Sequence, residues 1–246
     1  MSTVLRLLAR HTSFAEDEIL GLEAFVEPGH ICLDIGAEYG LYTHVLTRLV
    51  GPSGAVHSIE PLPRAFRLLS AGLCLSCCRN ARLYRVALGE RAERSTLSVP
   101  WRRGLPVHGR AFLTTGAKGQ GPNAEFASSR AVDVDVLTLD ELCAQEHVDR
   151  VDFVKVDVEG AELAVLRGGQ AMLARCHPTL LLEIEARHLS KYRTTPAEVV
   201  SWLATRGYSM RIWRDGVWQT ADQVTTAGRN YLFVHPDRAR RTARSA

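Results

Sequence analysis

Apolar positions recur along the chain in two rhythms. Ile19, Leu20, Leu22, Phe25 and Val26 follow helical spacing. Ser13 and Glu16 stand ahead of them as a Ser-x-x-Glu capping box, and Pro28-Gly29 behind them as a stop. Residues 31–36, ICLDIG, form a nearly continuous apolar run that closes on glycine, as strands buried on both faces do. Helical spacing returns over 39–50 through Leu41, Val45, Leu46 and Leu49, and Gly51-Pro52-Ser53-Gly54 reads as a turn. A strand at AVHSIE, a helix over 61–75 and a strand at ARLYRVAL follow. Regular alternation of strand and helix predicts an α/β fold with a doubly wound, mostly parallel sheet and helices on both faces.

The middle of the chain breaks this rhythm. RSTLSV has the makings of an extra strand, and residues 100–130, rich in Gly, Pro, Ser, Thr and Arg, read as a variable loop or lid. Alternation then resumes. VDVDVL is strand-like, 139–146 a helix opened by Thr138, VDFVKVD a central strand, 161–174 a helix, PTLLLEIE a buried strand, and 196–206 a helix with Pro196 in its first turn. YSMRIW and NYLFVH are expected as an antiparallel pair at one sheet edge. The expected organisation is a helical lead-in over 1–28, one domain over 29–236, and a basic tail over 237–246.

Composition narrows the picture. A net charge of +3 over 246 residues gives no case for a nucleic-acid or membrane partner. The cations are nearly all arginine, with lysines at 118, 155 and 191 alone, and the basic cluster Arg238, Arg240, Arg241, Arg244 reads as a frayed terminus. No apolar stretch is long enough for a membrane span and no signal peptide is expected. The six cysteines, including Cys74-x-x-Cys77-Cys78, lack the further ligands of a zinc site and read as reduced thiols, pointing to the cytoplasm.

Ligands of an open parallel sheet bind beyond the carboxyl ends of its strands. Polar groups sit there at five strands. Asp34-Ile35-Gly36-Ala37-Glu38-Tyr39-Gly40 is a D-x-G-x-x-x-G turn into a helix, where glycine lets the backbone pass close to a ligand. It is not the G-x-G-x-x-G dinucleotide pattern. Glu60, twenty residues beyond Gly40, is placed to accept from ribose hydroxyls. Ala87 and Leu88 follow the third strand, where an adenine ring would lie. Asp157 ends the central strand, and Glu183 and Glu185 end the next, with His188 beyond. Two such acids serve as base and orienter or hold a divalent cation such as Mg²⁺, a choice the sequence leaves undecided; His188 is a candidate base.

LDIGAEYGLYT, SIEPLPRAFRLL, NARLYRVALG, VDFVKVDVEGAELAVLRGG, PTLLLEIE and NYLFV occur in an order that resembles the FkbM-type methyltransferases, from about Gly29 to Val234. The resemblance implies a seven-stranded Rossmann-like sheet that binds S-adenosylmethionine and methylates a hydroxyl, often on a sugar or other natural-product scaffold. It implies that Asp34, Gly36, Glu38, Tyr39 and Gly40 surround the methionine and ribose portions, that Glu60 holds the ribose, that Ala87 and Leu88 approach adenine, and that Asp157 lies near the methyl group. Asp157, Glu183 and His188 are the expected catalytic residues. The family often has Asn where Glu38 stands, and His where Glu185 stands. The expected partner is a small-molecule acceptor with a hydroxyl; the oligomeric state stays open, a homodimer included. Two other readings are a nicotinamide-dependent oxidoreductase and a non-catalytic S-adenosylmethionine-binding module.

Overall fold

The computed structural model describes residues 16–226 and 228–237. Ser13 of the expected capping box and the arginines of the tail lie outside the described residues. Thirteen strands are described: β1 Ile31–Ile35, β2 Ala55–Ile59, β3 Ala81–Tyr84, β4 Ala87–Leu88, β5 Glu93–Arg102, β6 Leu105–Pro106, β7 Phe112–Leu113, β8 Ser128–Leu137, β9 Phe153–Val156, β10 Thr179–Glu183, β11 Ser209–Arg214, β12 Val217–Thr220 and β13 Asn230–Val234. The main helices are Leu41–Val50, Pro63–Leu75, Leu139–Gln145, Glu162–Arg167, Gln170–Cys176 and Pro196–Ala204.

The central sheet has eight strands in the order β12-β11-β13-β10-β9-β1-β2-β3. Pairing is parallel from β3 through β2, β1 and β9 to β10, and antiparallel among β10, β13, β11 and β12. The expected seven-stranded, mostly parallel sheet is therefore corrected to a mixed sheet of eight. The added strand comes from Asp215-Gly216, both at positive φ (52° and 78°), which turn β11 directly into β12. β11 and β13 form the expected antiparallel pair.

Strand periodicity divides the core into two layers. Leu33 and Ile35 of β1 pack with Leu139, Leu142, Leu166, Met172, Val199 and Leu203 from the helices on one face. Cys32, one residue before Leu33, faces Val45, Leu46 and Val50 of the Leu41–Val50 helix and Ile19 and Leu22 on the other. Burying one such side chain is worth about 1.5–3 kcal/mol. Ile19 and Leu22 lie on a 3-10 segment, Asp17–Ala24, rather than an α-helix.

Two more expectations change. The 161–174 helix divides at Gly168-Gly169, because a Cβ on Gly168 would lie 2.1 Å from the carbonyl oxygen of Gly89; helix and strand tip meet backbone to backbone. The 100–130 segment is not all loop. β5 and β8 pair antiparallel over Glu93–Trp101 and carry β4, β6 and β7 in a second, five-stranded sheet. Leu97 and Val99 turn inward to Val134, Val136 and Leu113, the alternation of a half-buried strand. Thr138 with Glu141, and Thr195 with Glu198, form capping boxes that start their helices. The cysteines form no disulfide, and among the described residues no helix is long and apolar enough to cross a membrane.

Candidate active site

A cavity of about 300 Å³ opens at the carboxyl ends of β1, β2, β9 and β10, at the lower end of small-molecule pocket sizes. Ile35, Ile59, Leu62, Ala87, Leu88 and Leu97 form its apolar wall.

The loop after β1 is built by close approach. Gly36 has φ +80°, and a Cβ there would lie 1.8 Å from the Asp157 carbonyl oxygen. Its amide and that of Ala37 both donate to the Ile59 carbonyl, at 3.0 Å each. The Glu38 amide then donates to Glu60 Oε2 (2.9 Å) and the Leu62 amide to Glu60 Oε1 (2.7 Å). Each carboxylate oxygen keeps acceptor capacity beyond one such bond. Burial pushes Glu60 up to about 7, against the two amide bonds that favour its charge. Burial and the neighbouring Asp157 and Glu159 push Glu38 up to about 7.

Not every expected residue reaches the cavity. Gly36, Glu38, Glu60, Ala87, Leu88, Asp157, Glu183 and His188 line it. Asp34 lies behind it, accepting from Thr43 Oγ1 (2.6 Å), which in turn meets Ser58 Oγ (2.8 Å). Burial pushes Asp34 up to about 6. Gly40, φ +87°, turns the chain into the Leu41–Val50 helix, where a Cβ would strike Leu69. Tyr39 is half exposed, and its hydroxyl meets Nδ1 of His108 at 2.7 Å.

Lys155 was not foreseen as a site residue. It is 1% exposed, and its Nζ donates to Asp157 Oδ2 (3.3 Å) and Asn230 Oδ1 (3.2 Å). Burial works against its charge, but Asp157, Glu16, Glu183 and Asp34 outweigh it and hold the ammonium above its ordinary range. For Asp157, burial acts upward, yet Lys155 and a hydrogen bond from Glu183 bring it below the usual carboxylate range. Burial and the Asp157 charge drive Glu183 well above it. Of the two hydrogen-bonded carboxyls, Glu183 is therefore the one that favours the proton and Asp157 the one that favours the charge. A lone lysine inside the apolar run VDFVKVD is the sequence signal that marked this network.

His188 is buried, and its two nitrogens have different partners. Nδ1 contacts Glu159 Oε2, and Arg110 Nη1 lies 3.0 Å from Nε2. Arginine only donates, so Nδ1 carries the hydrogen and Nε2 the lone pair. Glu159 has φ +57°, and the Gly160 that follows rests on the His188 backbone, a Cβ there falling 2.2 Å from its carbonyl oxygen. Arg110 belongs to the 100–130 segment, which is fastened over the site: Asn123 Nδ2 donates to its carbonyl (2.8 Å), Tyr192 Oη to Leu113 O (2.7 Å), and the Lys118 amide to Lys191 O (2.6 Å). Glu159, Arg110 and His108 escaped the sequence reading, since only the folded chain brings them together.

The methyltransferase FkbM domain family matches residues 34–210, well over half the chain. The chain belongs to the FkbM methyltransferase family. Its domain is thus that of an S-adenosylmethionine-dependent methyltransferase. Among curated relatives of this FkbM chain, Methyltransferase 1 of Beauveria bassiana is 26% identical over 166 residues, covering 64% of this chain and 65% of its own. Methyltransferase sdnD of Sordaria araneosa is 27% identical over 156 residues, covering 55% and 59%. The chain thus spans less than two-thirds of the length of these relatives. The crystal structure of methyltransferase FkbM from Methylobacillus flagellatus KT superposes with a TM-score of 0.54 at 16% identity, over 94% of this chain and 58% of that one, and shares the fold.

Proposed function

We propose that the protein transfers the methyl group of S-adenosylmethionine to a hydroxyl of a small molecule, a sugar or other natural-product scaffold, in the cytoplasm. The observation that carries the hydroxyl reading is the setting of His188: it lines the cavity with Nδ1 against the Glu159 carboxylate and Nε2 beside the Arg110 guanidinium.

The site fits the donor. Gly36 provides a backbone-lined approach that no side chain could share. The carboxylates of Glu38, Glu60 and Asp157 suit a ligand bearing a sulfonium and an ammonium. When bound, S-adenosylmethionine supplies an electrophilic methyl on sulfur. Glu60 accepts from the ribose hydroxyls with the lone pairs its two amide bonds leave. Ala87 and Leu88 offer an apolar face to adenine. His188 Nε2 takes the acceptor's hydroxyl proton once Arg110 swings aside, while Glu159 steadies the imidazolium that forms. Positioning by the 100–130 segment aligns the acceptor and excludes water.

The mechanism needs no divalent cation. Asp157, Glu159 and Glu183 do bring carboxylate oxygens within 4.8 Å of one another. Lys155 already supplies positive charge there, and Glu159 is engaged with His188. The test is methyl transfer from labelled S-adenosylmethionine to a panel of sugars and hydroxylated scaffolds, by wild type and His188→Asn. Transfer to oxygen by wild type and its loss in the variant support the reading; transfer to nitrogen or carbon alone overturns it.

A further inference from the structure

A second cluster lies at the opposite end of the sheet. His177 stands two residues before β10 and His235 directly follows β13; these strands are antiparallel neighbours, so the two histidines meet where the cavity is not. Their rings stack with centroids 3.9 Å apart. Asp237 Oδ2 lies 3.5 Å from His177 Nδ1 and 3.7 Å from His235 Nδ1.

We propose that His177, His235 and Asp237 form a site for a divalent transition metal of the zinc type, separate from the methyl-transfer site and structural in role. The spacing carries the argument. Both nitrogen–oxygen separations exceed the usual 2.7–3.2 Å of an N–H···O bond. They are close to the edge of a ligand tetrahedron, about 3.3–3.4 Å for metal bonds of about 2.0–2.1 Å. The three ligand atoms all fall within 4.8 Å of one another.

The supporting shell is also in place. Gly207 lies against Nε2 of the His235 ring, where a Cβ would come within 2.8 Å, so close backbone packing holds the ring in place. Nδ1 now accepts from the Asp237 amide at 3.2 Å, a bond the metal would replace. His177, with its side chain 27% exposed, is the ring with room to turn out of the stack. Water completes the fourth position.

The test uses full-length protein without a histidine tag, stripped by chelator and titrated with Zn²⁺ by calorimetry and with Co²⁺ by visible absorption. One ion per chain is expected, with the intense d–d bands of tetrahedral Co²⁺ and a raised melting temperature. His177→Ala and His235→Ala should each weaken binding more than about 100-fold, beyond the loss of a mere supporting partner. His177→Ala alters a part-exposed side chain and serves if His235→Ala fails to fold. A thiolate-to-cobalt charge-transfer band would place the ion on the exposed Cys74 and Cys77 instead and overturn the proposal. So would no binding, or binding unchanged in His177→Ala.

Discussion

The backbone amide of Glu38 donates to Glu60 Oε2 across 2.9 Å, so one carboxylate joins the loop after β1 to the tip of β2. The same carboxylate lines the cavity. In the proposed reading, donor binding and loop geometry therefore depend on a single side chain.

Burial of this and other acids makes stability depend on pH. Glu38, Glu60 and Glu162 are each pushed from an ordinary 4.5 to about 7. The folded chain thus holds more protons than the unfolded chain between those values. Their stabilising effect is full below 4.5 and is lost as pH rises through 7. Without donor, the melting temperature should be higher at pH 5.5 than at pH 7.5. Glu162→Gln should flatten that fall, since its Oε1 can still accept from the Val158 and Gly160 amides. A melting temperature rising across this range, carried by Glu162, would contradict the assignment.

Gly36→Ala should cost at least about 2 kcal/mol in urea unfolding. The added Cβ would meet the Asp157 carbonyl oxygen at 1.8 Å, and φ +80° is strained for any residue with a side chain. A loss below about 0.5 kcal/mol would show that the loops after β1 and β9 do not touch as described.

His188→Asn should lower kcat by about 10²–10⁴ while leaving S-adenosylmethionine affinity within about three-fold. Glu159→Gln frees the imidazole to take the other tautomer, and should cost about ten- to a hundred-fold in kcat with the same unchanged affinity. Equal losses of kcat and donor affinity in both variants would mean that they only support the cavity wall.

Glu183→Gln is the sharper contrast. Burial and the Asp157 charge favour the protonated form of Glu183, and an amide that also donates imitates that form in the hydrogen bond to Asp157. Turnover should stay within about five-fold of wild type, and Glu183→Ala should lose far more, because Asp157 then lacks its donor. Abolished turnover in Glu183→Gln would return the base to Glu183.

Much of the cavity lining beyond β1, β2 and β9 was legible in the sequence because its determinants are local. Gly36, Glu60 and Asp157 follow their strands directly, and a parallel sheet aligns those strand ends; Ala87 and Leu88, expected at the end of the third strand, instead form β4 of the second sheet. Asp34 misled for the same reason: it belongs to β1 itself, so its side chain points into the Thr43–Ser58 network and not past the strand tip. The surroundings of His188 depend on contacts between distant segments. Arg110 meets His188 across 78 positions, and no periodicity encodes that. β12 was readable in principle from Asp215-Gly216, whose turn chemistry outweighs the weak apolar pattern of Val217–Thr220. Lys155 was visible as a charge inside an apolar strand, but its partners, Asp157 and Asn230, are identified only by the pairing of β9, β10 and β13.

Calorimetric titration of S-adenosylmethionine and S-adenosylhomocysteine into wild type and Glu60→Ala tests the central claim most directly. Saturable one-to-one binding to wild type, weakened at least about ten-fold in a folded Glu60→Ala, is the expected result, since the variant loses the acceptor for the ribose hydroxyls. Absence of binding to folded wild type, or equal binding to both proteins, would contradict the placement of the donor in this cavity.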